Sequence, residues 1–374
     1  MPLEFLGILS FTWQTAVMLA IGGVLIYLGI ARKVEPVLLI PIGAGIIMTN
    51  LPLAGLTEEG GLFASLRQAG IDTELFPLLI FIGVGAMIDF GPFLQRPYTI
   101  LLGAAAQFGI FGTFLMVYLL GDGWLHVLPF SLKEAASIGV IGSADGPTSI
   151  YVSGILAPEL LAPIAVAAYS YMALVPIIQP PVMRLLTTKR EREVKMPMTA
   201  DSVSRRVRIM FPLITVVVVG LITPKAVPLI GCLMFGNLLR ESGVVERLSN
   251  TAQNELINIV TILLGLTIGG MMVAGEFLKA QTIIVFVMGI IAFALDTAGG
   301  VILGKIMYLA TGGKVNPLIG AAGISAFPMS ARVVQKEGLR ANRYNHLLMH
   351  AAGANTAGQI ASVVAGGAIL ALLA

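Results

Sequence analysis

One acidic residue, Asp145, lies in a segment that a helix cannot pass through without interruption. The segment reads IGSADGPTSIYV, and Gly146 and Pro147 directly after the aspartate both disfavour a continuous helix. An interruption leaves backbone carbonyls free, and a carboxylate beside free carbonyls offers hard oxygen donors to a cation. The alternative is that Asp145 only caps a helix that begins near Thr148. The residue types favour an ion site over a simple cap.

A second interrupted segment, VNPLIGAAGISAFPMSARVVQ, contributes neutral oxygens and one cation. It contains Asn316, Ser325, Ser330 and Arg332. Hydroxyl, amide and backbone oxygens suit a hard, weakly held monovalent cation such as Na⁺. Two structural alternatives remain open, because Ser325 could be a small-residue helix contact and Arg332 could extend to the membrane surface.

Further polar side chains lie in two apolar segments, AVAAYSYMALVPIIQPP and HLLMHAAGANTAGQIASVV. They are Tyr169, Ser170, Tyr171, Asn355, Thr356 and Gln359. Polar groups at such positions often hold helices together, so a structural role has about equal weight. The remaining deep acidic residue, Asp296, is expected to form a structural pair with Lys305.

The composition decides which solvent surrounds these residues. Of 374 residues, 57% are hydrophobic and only 11% are charged, and the mean hydropathy is +0.92. A soluble enzyme of this length could not expose such a surface to water. The long apolar runs indicate helices rather than barrel strands. The single cysteine, Cys232, excludes a disulfide framework, and no GxxxxGK[ST] motif for nucleotide phosphates is present.

We therefore predict an all-α membrane protein with about ten spans and two re-entrant hairpins. The hairpins, 134–156 and 315–335, are too rich in Gly, Pro and Ser to cross as ordinary helices, so they should line the working site. The predicted spans are 13–31, 36–56, 75–93, 99–120, 160–183, 208–223, 225–239, 255–275, 281–309 and 346–373.

The distribution of basic residues and the similarity between segments of the sequence predict that the chain consists of two halves. Most lysines and arginines fall on one side of this topology, which makes 185–207 a cytoplasmic linker between a first repeat, 1–184, and a second, 208–374. The segment GAMIDFGPFL from Gly85 aligns with GGMMVAGEFL from Gly269, and GSADGPTSIYV aligns with GISAFPMSARV in the same order. Five spans in each half require the second half to insert from the opposite face, as inverted repeats do.

Four stretches resemble one protein family. ARKVEPVLLIPIGAG, GSADGPTSIYVSGILAP, AVAAYSYMALVPIIQPPVMRLLTTKRERE and NPLIGAAGISAFPMSARVVQ are similar to the β subunit of sodium-pumping biotin-dependent decarboxylases. The resemblance runs from about residue 31 to the C-terminus. It implies a multi-pass protein of the prokaryotic inner membrane that decarboxylates carboxybiotin, consumes an external proton and pumps Na⁺ outward.

The resemblance also implies partners and site residues. The chain would form a homo-oligomer. Its partners would be a carboxyltransferase, a biotin carrier and a small membrane anchor subunit, and it would not bind nucleic acid. Asp145 would bind Na⁺ in one state and a proton in another, and Arg332 and Ser330 would hold carboxybiotin. The residues that match the family's ion and carboxybiotin positions are Asp145, Asn316, Gly320, Ser325, Arg332, Asn355 and Tyr171.

Two other functions compete with this interpretation. A Na⁺/H⁺ antiporter or a Na⁺-coupled carboxylate carrier could have the same inverted architecture without covalent chemistry. A passive membrane scaffold is disfavoured, because an ionisable residue such as Asp145 costs several kcal/mol at membrane depth unless it is paired, hydrated or protonated.

Overall fold

A computed structural model describes residues 7–33, 35–197 and 203–374. The predicted first repeat and linker therefore each include a stretch, 1–6 and 198–202, that lies outside the described residues. No strand occurs in the described part of the chain, and the fold is all-α as predicted. The main helices of the first half are α1 (Trp13–Ala31), α2 (Pro36–Thr49), α3 (Leu62–Gly70), α4 (Leu75–Met87), α5 (Thr99–Ala106), α6 (Phe108–Tyr118), α7 (Leu132–Val140), α8 (Gly146–Leu156) and α9 (Leu161–Leu186).

The second half, from residue 205 onward, contains six main helices. Its main helices are α10 (Arg205–Ile222), α11 (Val227–Ser242), α12 (Ile257–Met271), α13 (Ala280–Ala310), α14 (Met329–Ala341) and α15 (Leu348–Leu373). In the described residues five helices are long and apolar enough to cross a bilayer, and seven if two bent pairs each form one span. The count of ten spans stays a prediction.

Several boundaries differ from the predicted ones for physical reasons. The predicted span 36–56 ends at Thr49, and 75–93 ends at Met87, where the backbone of Ile88 is extended before the short helix Gly91–Gln95. The predicted span 160–183 is bent by 68° within α9. Three prolines in that helix, Pro176, Pro180 and Pro181, remove backbone donors that a straight helix requires.

Two helix crossings join the halves reciprocally, α2 with α12 and α4 with α11. A Cβ added to Gly45 would lie 2.4 Å from the Leu266 carbonyl oxygen, and one on Gly236 would lie 1.9 Å from that of Ile82. Only glycine permits such close backbone approach, which is how small residues hold membrane helices together. These crossings therefore fasten helices of the first half to helices of the second.

At each crossing, an asparagine side chain also forms hydrogen bonds with backbone groups that a helix interruption would leave unpaired. Asn50, at the end of α2, donates from Nδ2 to the Met272 carbonyl at 2.8 Å and accepts from the Ala274 amide at 2.8 Å. Asn237 on α11 donates to the Ile88 carbonyl at 3.0 Å, where α4 stops. In hydrocarbon an unpaired backbone group costs several kcal/mol, so each asparagine stabilises a break in the opposite half.

The two hairpins are buried and meet at their breaks. Residues 135–153 and 315–326 are buried throughout. The first hairpin breaks between α7 and α8, where Ala144 has a left-handed backbone, and the second passes from the 3₁₀ segment Pro317–Gly323 to α14. The Ser325 amide donates to the Ser143 carbonyl at 2.9 Å, so one backbone hydrogen bond joins the breaks.

Candidate functional site

Asp145 caps α8, as the structural alternative predicted, but that is not its whole role. Its Oδ1 accepts from the Thr148 amide at 3.2 Å, and its Oδ2 accepts from Thr148 Oγ1 at 2.8 Å. The side chain lies at the interruption between α7 and α8 and only 4% of it is exposed. The sequence folds this way because Gly146 and Pro147 suit the first helical turn after a break.

A third donor reaches Asp145 from the other half of the chain. Ser362 Oγ on α15 donates to Asp145 Oδ2 at 2.7 Å. A cap needs only the local donors of its own helix, whereas this contact spans 217 residues of sequence. Asp145 therefore connects the first hairpin with the last helix.

The second break is held by α15 in the same way. Ser325 Oγ donates to the Gly358 carbonyl at 3.0 Å, and Asn355 Nδ2 donates to the Ile324 carbonyl at 2.7 Å. Gln359 Nε2 donates to the Ser325 carbonyl. Helix α15 thus binds both breaks, and it places Asn355, Gln359 and Ser362 beside them.

A cavity of about 330 Å³ connects Asp145 with the protein surface. Asp145, Tyr169, Ser325 and Gln359 form its inner end. Apolar side chains form much of the wall, and the lining extends to the exposed Val37, Met87 and Asn258. A site of this size and character can take a small molecule with a few fixed polar contacts.

Two tyrosines that are close in sequence point to different places. Tyr169 lines the cavity, and its ring would collide with a Cβ on Gly146. Tyr171 donates to the Phe286 carbonyl and packs against Gly289 on α13. Because a helix turns about 100° per residue, side chains two apart lie on opposite faces. The structure brings Tyr169, and not the predicted Tyr171, to Asp145.

Asn316 and Gly320 lie away from the cavity. Asn316 Nδ2 donates to the carbonyls of Arg192 and Val194 in the linker, and its Oδ1 accepts from the Leu318 amide. A Cβ on Gly320 would lie 1.9 Å from the Gly300 carbonyl oxygen on α13. Their contacts in this structure position the second hairpin.

The two predicted carboxybiotin residues are also outside the cavity lining. Arg332 is exposed on α14, and Ser330 is buried with its Oγ 3.5 Å from the Ala322 carbonyl oxygen. The predicted contact of both residues with carboxybiotin stays a prediction.

The predicted pair between Asp296 and Lys305 is wrong. Lys305 Nζ lies 3.5 Å from Glu191 Oε1 and donates to the Leu186 carbonyl at 3.2 Å. Asp296 is fully buried with its carboxyl against the Gly109 backbone. Nine helical residues rise about 13 Å and turn half a revolution beyond two full turns, so the two side chains lie on opposite faces.

The sequence interpretation missed Ser362, although a signal for it was present. Asn355, Gln359 and Ser362 follow a spacing of four and then three residues in a mostly apolar helix. That spacing places all three on one face. A stripe of polar side chains on a buried membrane helix indicates that the segment packed against it contains polar groups. Here that segment is the pair of helix breaks.

A family profile matches the sequence over nearly the whole chain. The profile described as the Na⁺-transporting oxaloacetate decarboxylase β subunit matches residues 14–373. The chain belongs to this family. As a member it is a membrane subunit of a Na⁺-transporting decarboxylase, which confirms the function that the resemblance implied. Membership also implies a complex of several subunits and a link to biotin chemistry.

Individual relatives within the family are named for different acyl substrates. The methylmalonyl-CoA decarboxylase subunit β of Veillonella parvula is 52% identical, and the glutaconyl-CoA decarboxylase subunit β of Acidaminococcus fermentans is 51% identical. Each alignment covers 98% of this chain and 95% of the relative. The oxaloacetate decarboxylase β chain of Haemophilus ducreyi is 47% identical over 98% of this chain and 96% of its own.

Proposed function

We propose that Asp145 exchanges Na⁺ for a proton at the centre of this subunit. The observation that carries the proposal is a buried carboxyl at the meeting point of two helix breaks, with hydroxyl donors from both halves and no ion pair to any described residue. A bare carboxylate is costly in such surroundings, so Asp145 must hold either Na⁺ or a proton. Because one carboxylate is neutralised by one cation, binding of either cation excludes the other. That exclusion couples the two ion movements.

The unpartnered oxygens near the breaks suit Na⁺ as the transported substrate. In the described part of the chain, Tyr169 Oη and Asn355 Oδ1 are buried without a hydrogen-bond partner. Together with Asp145 and Ser325 they offer carboxylate, amide and hydroxyl oxygens, which are the donors that hard cations prefer. Orphaned buried acceptors cost free energy, so a bound cation would offset that cost.

The cavity is the proposed place where carboxybiotin loses CO₂. The bond between the ureido nitrogen and the carboxylate carbon breaks, CO₂ leaves, and the nitrogen takes up one proton. The apolar wall, which includes Leu38 and Phe81, would remove water from the carboxylate and so favour loss of CO₂. A carboxyltransferase and a biotin carrier would deliver the substrate, and the former would select the acyl compound, which agrees with the relatives' different substrates.

We further propose that the halves are inverted repeats joined by the 185–207 linker. The reciprocal crossings of α2 with α12 and of α4 with α11 support this. Asn316 and Gly320 would then position the second hairpin, and Arg332 would approach carboxybiotin only after a movement of α14. In the proposed assembly this chain forms a homo-oligomer and binds a small membrane anchor subunit.

The deciding experiment supplies free carboxybiotin to the detergent-purified chain and measures release of CO₂. We expect Na⁺ to accelerate release and K⁺ at equal ionic strength to leave it unchanged. A rate that ignores Na⁺ would contradict the proposal. Full-rate exchange of Na⁺ for H⁺ in proteoliposomes without biotin would instead identify an antiporter.

Replacing Ser362 tests the link between α15 and the ion site. Ser362→Ala removes a hydrogen bond to the Asp145 carboxylate, which is worth about 1.5–3 kcal/mol. The protonated form of Asp145 then competes better with Na⁺. We expect the Na⁺ concentration for half-maximal decarboxylation to rise at least about tenfold.

Thr356→Val is the matched control for this variant. Thr356 lies on the same helix, but its hydroxyl contacts only the carbonyls of Ala352 and Gly353. The Na⁺ dependence of this variant should stay near that of the wild type. Equal shifts in both variants would show that α15 acts on the site only through its packing.

A further inference from the structure

A basic cavity lies at the linker end of the molecule, away from Asp145. Its volume is about 200 Å³, and its lining combines four cationic side chains with one carboxylate. The lining residues are Arg184, Lys189, Arg192, Glu337, Arg340 and Ala341. They come from the end of α9, the short helix Lys189–Arg192 and the end of α14.

The single carboxylate is already neutralised by one of the four cations. Arg184 donates from Nη2 to Glu337 Oε1 at 2.6 Å and from Nε to Oε2 at 2.8 Å. This two-bond geometry fixes the buried Glu337 against the end of α9. The pair forms one wall of the cavity and leaves the other three cations in excess.

Those three cations keep donors that no described group engages. Arg192, which lines the cavity, uses Nη1 for the carbonyls of Arg184 and Thr187 and for Thr187 Oγ1, and its Nε and Nη2 donate to no described group. Arg340 touches Glu337 only at 3.8 Å, and Lys189 touches Glu193 only at 3.8 Å. Exposed contacts of this length contribute little, so both side chains are available to an anion.

The surroundings favour a lipid as the source of that anion. Leu185, which follows Arg184, is 84% exposed. Lys305 binds the carbonyl of Leu186, which brings the end of α13 and its exposed Ile306 and Leu309 to the same end. An apolar surface beside a basic pocket at a helix end is typical of sites for anionic lipid head groups.

We propose that this cavity binds a phosphate group, supplied by the head group of an anionic lipid. The phosphate would contact Lys189, Arg192 and Arg340. The acyl chains of the lipid would cover the exposed Leu185 and Leu309. Because the site joins the end of α9 to α14, occupancy stabilises the second hairpin against the first half. The proposal is independent of the ion exchange proposed for Asp145.

Thermal unfolding of the full chain in uncharged detergent tests this site. Short-chain phosphatidylglycerol, phosphatidylcholine and inorganic phosphate are titrated separately at constant ionic strength. We expect phosphatidylglycerol to raise the melting temperature and the other two to leave it unchanged. If inorganic phosphate acts at the same concentration as phosphatidylglycerol, the phosphate site stands and its source is a soluble ligand.

The double variant Lys189→Gln/Arg340→Gln removes two cations and keeps the Arg184–Glu337 pair. We expect its affinity for phosphatidylglycerol to fall about thirtyfold, since each basic residue near a membrane contributes about a factor of five. Arg206→Gln/Arg247→Gln is the control, because it removes the same charge from exposed residues outside the cavity. Equal losses in both double variants, or no loss in the first, would overturn the proposal.

Discussion

Asp145→Asn is expected to abolish Na⁺-dependent decarboxylation while the protein keeps its fold. Asparagine has nearly the same shape as aspartate, and it is an equally good helix cap, so the contact with the Thr148 amide survives. What disappears is the charge that binds Na⁺ and the group that accepts a proton. The effect should be a loss of at least about a thousandfold in coupled activity, because Asp145 supplies the carboxylate that the donors of both halves hold at the breaks.

The comparison with Asp145→Ala separates the two roles of this residue. Alanine removes both the charge and the cap, so it should abolish activity and also lower the free energy of unfolding by about 1 kcal/mol. Asparagine should abolish activity alone. The measurements are Na⁺ uptake into vesicles and thermal unfolding of the purified variants. Retained pumping in Asp145→Asn would reject the assigned role.

Gly236→Val is expected to prevent assembly of the two halves. The first added carbon would lie 1.9 Å from the Ile82 carbonyl oxygen, so α11 and α4 would have to separate. Separation would also pull Asn237 from the carbonyl of Ile88 and leave that group unpaired. Overpacking alone costs about 1–3 kcal/mol, and the lost hydrogen bond adds to that.

Gly231→Val provides the control on the same helix. A Cβ at Gly231 meets no atom within 4 Å, so this variant should accumulate like the wild type. The measurement is the yield of monodisperse protein in size-exclusion chromatography after membrane extraction. Similar yields for the two variants would show that α4 and α11 do not need close contact.

The sequence predicted the parts of this site that depend on local chemistry. The interruptions around Asp145 and Ser325 follow from glycine and proline, whose backbone preferences do not depend on tertiary context. The ends of α2 and α4 were predicted too late along the chain. There the apolar pattern continues past the break, and only a side chain from a distant helix, such as Asn237, makes an earlier stop favourable.

Two further differences between the predicted and the observed arrangement concern the directions of side chains. Tyr169 and Tyr171 have the same chemistry, and only the rotation of α9 decides which faces the cavity. Lys305 reaches Glu191, because the linker folds back onto the end of α13. A linker of charged residues carries no periodicity that predicts such folding, so the partner of Lys305 could not be predicted from the spacing of acidic residues.

The crossing between α2 and α12 has a consequence for biosynthesis. Asn50 and its partner Met272 are separated by 222 residues. At ordinary rates of translation, on the order of 10 to 40 s pass between synthesis of the first and the second. During that interval the glycine face of α2 must rest against lipid, a neighbouring helix or the insertion machinery. The first half of the nascent chain therefore enters the bilayer as an incomplete structure that only the second half can finish.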